Sequence, residues 1–171
     1  MKCRTSVLYL AVVAFFALTV TAQIRPDFSG RWTNEPETKA TTTGDLGSGW
    51  GANFTIAQDA SRLTVEYAFF ARGDMQPPLK FVFALDGSET KNSVMMGRGI
   101  QVQTSKTAWE GDKLVITTAH SFENPANGQL MKSEVKQTLT LALPTSLIVE
   151  TTRNGVLGGS PSTTRTVYRK L

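Results

Sequence analysis

The sequence predicts an all-β fold: an antiparallel, up-and-down meander of about eight to ten strands that closes into a barrel. Three observations support this prediction. Apolar residues recur at every second position through most of the chain after residue 22, which is the period of a half-buried strand. Glycine, proline and Asn-Gly signals separate these segments at short intervals. No segment after residue 22 shows the apolar period of an amphipathic helix.

The central hairpin, residues 101–122, shows the strand pattern most clearly. Two strands flank a tight reversal at residues 110–112, which contains a glycine. In the second strand, Leu114, Ile116 and His120 share one parity. Because alternate residues of a strand face opposite sides of the sheet, His120 is predicted to face the same side as the apolar residues.

The same pattern, a strand followed by a turn, recurs along the chain after an extended N-terminal segment that contains Phe28 and Trp32. Two prolines, Pro77 and Pro78, are placed between strands because proline has no N–H to donate to a ladder. The predicted strands are 52–58, 63–69, 79–85, 89–96, 101–110, 113–122, 130–143, 147–153 and 163–169. Such a meander usually removes its edges by closing. An outer-membrane barrel is the competing architecture, and the many Lys, Glu, Arg and Thr residues on one strand face disfavour it.

Residues 1–22 have the pattern of a secretory signal peptide. Lys2 and Arg4 form a basic start, residues 7–20 are almost entirely apolar, and Ala22 is the residue after which we expect cleavage. The alternative is retention as a membrane anchor, but the apolar run is short for a bilayer core of about 30 Å. The sequence therefore predicts an exported protein, periplasmic or extracellular.

The mature chain, residues 23–171, is expected to be a single domain. Removal of Lys2 and Arg4 leaves 16 basic against 14 acidic residues, without a basic cluster interleaved with aromatic residues. No nucleic-acid partner is therefore predicted. The only cysteine, Cys3, leaves with the signal peptide, so the mature chain would have no disulfide. A monomer is the default expectation, because nothing in the sequence indicates an oligomer.

Gly30 and Trp32 form a Gly-x-Trp motif near the start of an all-β chain. This opening resembles that of the calycin group, the lipocalins and their bacterial lipocalin-like relatives. The resemblance implies a lipocalin-like barrel in which the tryptophan closes one end and packs against a basic residue late in the chain. Arg165 or Arg169, in the terminal strand, is the expected partner. An ordinary core role for Trp32 is the alternative, and it predicts the same burial.

Several polar residues share parity with the apolar residues that are expected to face inward. A buried polar group without a partner costs about 1–3 kcal/mol, so these residues must pair, reach water or line a cavity. The hypothesis is that a ligand cavity inside the barrel is lined by Tyr67, Phe83, Met96, Trp109, His120, Gln137 and Arg153. A filled core with these residues at its wet ends is the alternative. A register slip of one residue would reverse every assignment.

The sequence offers little catalytic or metal chemistry. One histidine and no mature cysteine provide no metal-ligand pattern, and no metal or cofactor is predicted. The motif Gly49-Trp50-Gly51 resembles the glycine–tryptophan motif of the haem-binding nitrobindins, but His120 would be the only histidine available as an axial ligand. No Gly-x-Ser-x-Gly motif is present, so a nucleophilic enzyme is not predicted. A proton-transfer barrel that uses Tyr67 or His120 stays an alternative.

Three functions follow from these observations. The favoured one is a secreted or periplasmic barrel that binds a small, largely apolar ligand in its interior. The second is a structural or interaction scaffold with a filled barrel and an exposed apolar patch around Trp50. The third is a barrel enzyme. The long connection from Glu35 to Gly51 is expected to act either as a lid over the barrel mouth or as a tether.

Overall fold

A computed structural model describes residues 25–35, 48–68, 70–71, 74–75, 77–96, 99–123, 127–154 and 160–171. Ten strands form one antiparallel sheet, and two short strands, β4 (Phe70–Ala71) and β5 (Asp74–Met75), form a separate hairpin. The ten strands are β1 (Gly30–Asn34), β2 (Asn53–Gln58), β3 (Arg62–Tyr67), β6 (Leu79–Ala84), β7 (Thr90–Met96), β8 (Gly99–Glu110), β9 (Lys113–Glu123), β10 (Leu130–Leu143), β11 (Ser146–Arg153) and β12 (Ser162–Lys170). The predicted all-β, up-and-down architecture is confirmed.

The order of strands in the sheet is β6-β3-β2-β1-β12-β11-β10-β9-β8-β7. Strands β7 to β12 each pair with their neighbours in sequence, and β1 pairs with β12, which joins the two ends of the chain. Only β6 and β7 lack a partner on one side, and they are themselves connected by the turn at residues 85–89. The sheet therefore curls into a barrel that is closed except at one seam.

The seam between β6 and β7 is bridged by side chains. The Asn92 side chain accepts a hydrogen bond from the Val82 N–H (2.8 Å) and donates one to the Val82 carbonyl (3.0 Å). The Thr107 hydroxyl of β8 donates to the carbonyl of Ala84. An amide side chain carries both an N–H donor group and a carbonyl acceptor, as a peptide group does. Asn92 therefore supplies the two bonds that a neighbouring backbone would otherwise make.

Consecutive strands run in opposite directions, so the connections between them lie alternately at the two ends of the barrel. At one end, the short-turn end, strands are joined by residues 59–61, 85–89, 111–112 and 144–145. At the other, the long-connection end, most connections are longer: 35–52, 68–78, 124–129 and 154–161. Long connections are where binding functions usually lie, because they can vary without disturbing the scaffold.

Tightly packed core residues lie towards the short-turn end. Trp32 is 0% exposed, and its indole N–H donates a hydrogen bond of 3.0 Å to the carbonyl of Phe28. Leu63, Leu114 and Leu147 are also fully buried. This burial follows from the alternation in the sequence, because each strand contributes every second residue to the same interior.

The cation over the Trp32 ring is Lys170, whose ammonium nitrogen lies 5.6 Å from the ring centroid. The expectation that Arg165 or Arg169 fills this position is therefore corrected. Thr164, Thr166 and Tyr168 are buried, and Lys170 shares their parity, whereas Arg165 and Arg169 are exposed on the outer face. The terminal strand has Val167 on one parity and Tyr168 on the other, so its sequence does not show which face is buried.

Candidate functional site

Inward-facing side chains become less buried towards the long-connection end of the barrel. On β9, Leu114 and Thr118 are buried, whereas His120 is half-buried. On β11, Thr151 is buried and Arg153 is half-buried. The inward-facing, half-buried residues at this end form what we call the barrel mouth: Tyr67, His120, Ser133, Val135 and Arg153.

Arg153 and His120 lie on either side of β10 in the barrel mouth. Arg153 is opposite Val135, and His120 is opposite Ser133, two residues along the same strand. Burial lowers the pKa of the His120 imidazole below its usual 6.5, and the positive charge of Arg153 lowers it further. The register therefore places the two residues on the strands that flank β10, near the same end of the barrel.

The interior has an aromatic wall. Strands β3 and β6 contribute Tyr67, Phe81 and Phe83. The rings of Tyr67 and Phe81 are parallel with centroids 5.8 Å apart, and those of Phe81 and Phe83 are parallel at 6.4 Å. Burial raises the pKa of the Tyr67 hydroxyl, so this phenol stays neutral at physiological pH. Such a wall can hold an apolar or aromatic group.

The wall formed by β8 to β12 combines apolar residues, such as Ile116, Leu139 and Val149, with polar ones. Its buried polar side chains are Gln103, Ser105, Thr107, Thr118, Gln137, Thr151, Thr164 and Thr166. The Ser105 and Thr118 hydroxyls hydrogen-bond to each other at 2.9 Å. The hydroxyls of Thr151 and Thr166 are buried and have no hydrogen-bond partner within the described part of the chain. The barrel interior therefore combines stacked aromatic rings with a set of buried hydroxyl and amide groups.

The segment 48–51 is folded into the barrel. Gln137 donates its side-chain N–H to the Ser48 carbonyl at 2.6 Å. The Tyr168 hydroxyl donates to the Gly51 carbonyl at 3.1 Å, so the 2.6 Å bond between Tyr168 and Ser48 must use the serine hydroxyl as donor. Trp50 is 4% exposed and meets Phe54 edge to face, with ring centroids 5.3 Å apart.

This arrangement bears on two of the sequence-based hypotheses. The scaffold hypothesis expected an exposed apolar patch around Trp50, and the structure buries this side chain instead. The lid hypothesis concerns the connection from Glu35 to Gly51, of which residues 36–47 lie outside the described residues. The described part of that connection lies against inward-facing residues of β10 and β12.

Replacing Tyr168 by phenylalanine is expected to lower the free energy of unfolding by about 1–3 kcal/mol, because it leaves the buried Ser48 hydroxyl and Gly51 carbonyl without this partner. Chemical denaturation of the variant, of Ser48→Ala and of the double variant gives the coupling energy. We expect losses that do not add, because both substitutions break one network. Strictly additive losses would show that the two hydroxyls act independently.

A second cavity, of about 280 Å³, lies at the short-turn end. Its lining residues are Arg25, Asp27, Gln58, Asp59, Ala60, Leu85 and Trp109. Trp109 stacks on Phe28 with centroids 6.2 Å apart, and the Arg25 guanidinium lies 5.1 Å from the Trp109 ring centroid. The Trp109 indole N–H is buried with no partner among the described residues.

The two carboxylates that line this second cavity accept hydrogen bonds from residues close to them in the chain. Hydrogen bonds from the side chain and backbone of Ser29 lower the pKa of Asp27. The pKa of Asp59 is lowered by hydrogen bonds from the backbone and side chain of Ser61 and from the backbone of Arg62. The Gln58 amide bonds to the Phe28 N–H and the Pro26 carbonyl. These groups order the chain around the cavity, and they explain why the Arg25–Ser29 lead crosses this end of the barrel.

The structure does not bring the seven predicted lining residues together at one place. Tyr67, His120 and Arg153 are at the barrel mouth, and Gln137 is below it, bonded to Ser48. The other three are elsewhere: Phe83 is in the core, Trp109 is at the short-turn end, and Met96 lies in β7 with a side chain outside the described residues. Their binding role stays a prediction.

Sequence reasoning missed the residues that act by long-range contact. The Asn92 bridge and the buried Ser48 give no local signal. Inward parity would have identified Thr151, since it alternates with Leu147 and Val149.

The described ranges contain neither a candidate metal-binding cluster nor a helix that could span a membrane. No group of three or more His, Cys, Asp or Glu side chains there is placed to hold a metal ion. In the same ranges, no helix is long and apolar enough to cross a membrane.

Comparison with known proteins shows no family for this chain. No protein-family model matches the chain, and no curated protein matches its sequence. Among solved structures, the chain is similar to secretory abundant heat soluble protein 4 from Ramazzottius varieornatus, at 18% identity and a TM-score of 0.48, over 84% of this chain and 94% of that chain. The resemblance to lipocalins therefore stays a proposal that rests on the sequence.

Proposed function

We propose that this chain is an exported, lipocalin-like barrel that binds a small, largely apolar molecule in its interior, through the barrel mouth. The observation that carries the proposal is the mixed interior: stacked aromatic rings on β3 and β6 occur together with a set of buried hydroxyl and amide groups on β8 to β12. A protein that needed only a core would have little reason to bury so many polar side chains. Export is proposed from the pattern of residues 1–22.

The physical chemistry of the two walls supports the proposal. A buried hydroxyl without a partner costs about 1–3 kcal/mol, and the hydroxyls of Thr151 and Thr166 find no partner among the described residues. A few polar groups within an apolar, concave surface are how small-molecule sites are usually built. The half-buried state of Tyr67, His120 and Arg153 marks the route by which such a molecule would enter.

Titration with the neutral fluorescent dye N-phenyl-1-naphthylamine tests this proposal. We expect a saturable, one-to-one increase in fluorescence for the mature protein. Val135→Trp should abolish it, because the larger side chain fills the mouth, whereas Glu134→Trp should not, because Glu134 is exposed on the outer face of the same strand. Near-ultraviolet circular dichroism of both variants checks that they are folded.

Native mass spectrometry of the protein from its own host provides an independent test. A discrete additional mass that organic extraction removes is the expected result. Bare protein, together with an absence of saturable dye uptake, would overturn the proposal.

A further inference from the structure

We propose that the cavity at the short-turn end binds a small zwitterion, an aliphatic α-amino acid with a free ammonium and a free carboxylate group. The Arg25 guanidinium would hold the ligand carboxylate, and Asp27 and Asp59 would hold its ammonium group. Leu85 would contact the ligand side chain. This site lies at the opposite end of the barrel from the mouth, so the proposal does not depend on the proposed function.

The cavity brings charges of both signs together with an apolar surface. Its volume of about 280 Å³ lies just below the range of about 300–1,000 Å³ that is usual for drug-sized ligands, so it suits a small molecule. Arg25, Asp27 and Asp59 line the cavity and are exposed, whereas Leu85 is 3% exposed. A wholly apolar ligand would remove water from these charges without replacing its hydrogen bonds. The lining therefore favours a ligand that is itself charged.

The three charged side chains do not pair with one another. Within the described part of the chain, no ion pair joins Arg25 to Asp27 or to Asp59. A simple cation in the cavity would be repelled by the guanidinium, and a simple anion would be repelled by two carboxylates. A molecule with one charge of each sign can interact favourably with both kinds of group at once. The arrangement therefore favours a zwitterion over either ion.

Arg25 is held over the cavity by an aromatic ring. Its guanidinium carbon lies 5.1 Å from the centroid of the Trp109 ring, and Trp109 is itself stacked on Phe28. A cation over an indole ring is attracted by the ring electrons, and this contact does not use its N–H groups. No hydrogen bond joins the Arg25 guanidinium to another described residue. It can therefore donate two parallel hydrogen bonds to a ligand carboxylate.

The two carboxylates have acceptor sites left for an ammonium group. All three hydrogen bonds to Asp59 from the described residues end at Oδ1, and none ends at Oδ2. Asp27 accepts the Ser29 N–H at 2.9 Å, and a carboxylate has about four acceptor sites. Hydrogen bonds from the residues that follow each aspartate lower its pKa, and the charges of Lys170 near Asp27 and Arg62 near Asp59 act in the same direction. Both carboxylates are therefore ionised at neutral pH.

Three ligands that share one side chain test this proposal by NMR titration of the mature protein. L-Leucine carries both charges, L-leucinamide lacks the carboxylate, and N-acetyl-L-leucine lacks the ammonium group. We expect saturable binding of L-leucine and binding about fivefold weaker, or more, for each of the other two, the effect of losing one charge-assisted pair in a partly open site. The Trp109 indole N–H resonance, assigned with Trp109→Phe, should shift, whereas that of Trp50, near the other end of the barrel, should not.

Arg25→Gln should remove the preference for a ligand carboxylate. We expect this variant to bind L-leucine about as weakly as the wild type binds L-leucinamide, without a loss of affinity for L-leucinamide itself. Arg31→Gln is the matched control, because Arg31 is exposed on β1 and does not line the cavity. It removes the same charge and should leave the binding of all three ligands unchanged. An equal loss of L-leucine affinity in both variants would overturn the proposal, since it would show an effect of net charge alone.

Asp27→Asn and Asp59→Asn together should remove the preference for a ligand ammonium group. Asparagine keeps Oδ1 as an acceptor for the local hydrogen bonds, so the double variant should fold, which near-ultraviolet circular dichroism checks. We expect it to bind L-leucine and N-acetyl-L-leucine with similar affinity. The control is Asp86→Asn with Asp112→Asn, two exposed turn residues at the same end of the barrel, and it should bind L-leucine as the wild type does.

Val135→Trp separates this site from the barrel mouth. It should prevent dye binding in the mouth and leave L-leucine binding unchanged. L-Leucine binding that Val135→Trp removes would overturn the placement of the site at the short-turn end. An absence of saturable L-leucine binding, or equal affinity for the three ligands, would overturn the zwitterion site and leave the proposed function of the barrel interior to its own test.

Discussion

Replacing Trp32 by alanine is expected to lower the free energy of unfolding by about 3–5 kcal/mol, a large part of the stability of a typical domain. The side chain is 0% exposed, so its removal leaves a cavity that the surrounding strands cannot fill. It also removes the hydrogen bond from the indole N–H to the Phe28 carbonyl and the ring beneath Lys170. Equilibrium denaturation in urea or guanidinium chloride measures the loss.

Trp32→Phe separates the loss of the indole hydrogen bond from the loss of apolar volume. Phenylalanine keeps much of the apolar volume but cannot donate to Phe28, so we expect a smaller loss, of about 1–3 kcal/mol. Arg31→Ala is the matched control, because Arg31 is exposed on the adjacent position of β1 and should change stability by less than about 0.5 kcal/mol. Equal denaturation midpoints for Trp32→Ala and Arg31→Ala would contradict the role of Trp32 in closing this end of the barrel.

Replacing Asn92 by leucine is expected to open the seam between β6 and β7 and to lower the free energy of unfolding by about 2–4 kcal/mol. Leucine has a similar shape but neither donor nor acceptor, so the Val82 N–H and carbonyl both lose their partner. Asn92 is 6% exposed, and little water is available there to replace the lost bonds. The measurement is denaturation combined with amide hydrogen exchange at Val82.

Asn92→Asp distinguishes loss of one bond from loss of both. A carboxylate still accepts from the Val82 N–H but no longer donates to the Val82 carbonyl, which it repels. In Asn92→Asp, we expect the Val82 amide to remain protected from hydrogen exchange while the free energy of unfolding falls. Ser93→Ala, at the exposed neighbouring position, serves as the control. If amide hydrogen exchange at Val82 is the same in Asn92→Leu as in the wild type, the seam is held closed by packing between β6, β7 and β8 alone.

An open seam would have a further consequence. β6 and β7 would then present unpaired N–H and carbonyl groups, and such edges pair readily with other chains. We therefore expect Asn92→Leu to associate at concentrations at which the wild type does not, which size-exclusion chromatography would detect together with the loss of stability.

The strands and their inward faces followed from the sequence because alternation is local. The segment from Leu130 to Leu143 was predicted as the longest strand, and β10 has these bounds. The parity that placed His120 with Leu114 and Ile116 is also the parity of the barrel interior. In both cases, a residue's neighbours two positions away along the chain decide which side it faces.

The candidate site followed from the sequence only in part. Tyr67, His120 and Arg153 have inward parity and lie at the mouth, whereas Trp109 has inward parity and lies at the opposite end. Parity specifies which face of a strand a residue lies on, but not its position along the barrel axis. That position depends on the direction and register of the paired strands, which are set by contacts between residues far apart in sequence.

The sequence by itself determined the fold class, most of the strands and, except in the terminal strand, the sides that their residues face, because a period of two residues and the turn signals are properties of neighbouring positions. Only the tertiary structure decided that Lys170 covers Trp32, that Asn92 closes the seam, and that Ser48 and Trp50 turn into the barrel. Each of these contacts joins side chains or backbone groups from segments without any local relation. Their partners are set by how the sheet curls, and the curling of a ten-stranded sheet is a property of the whole chain.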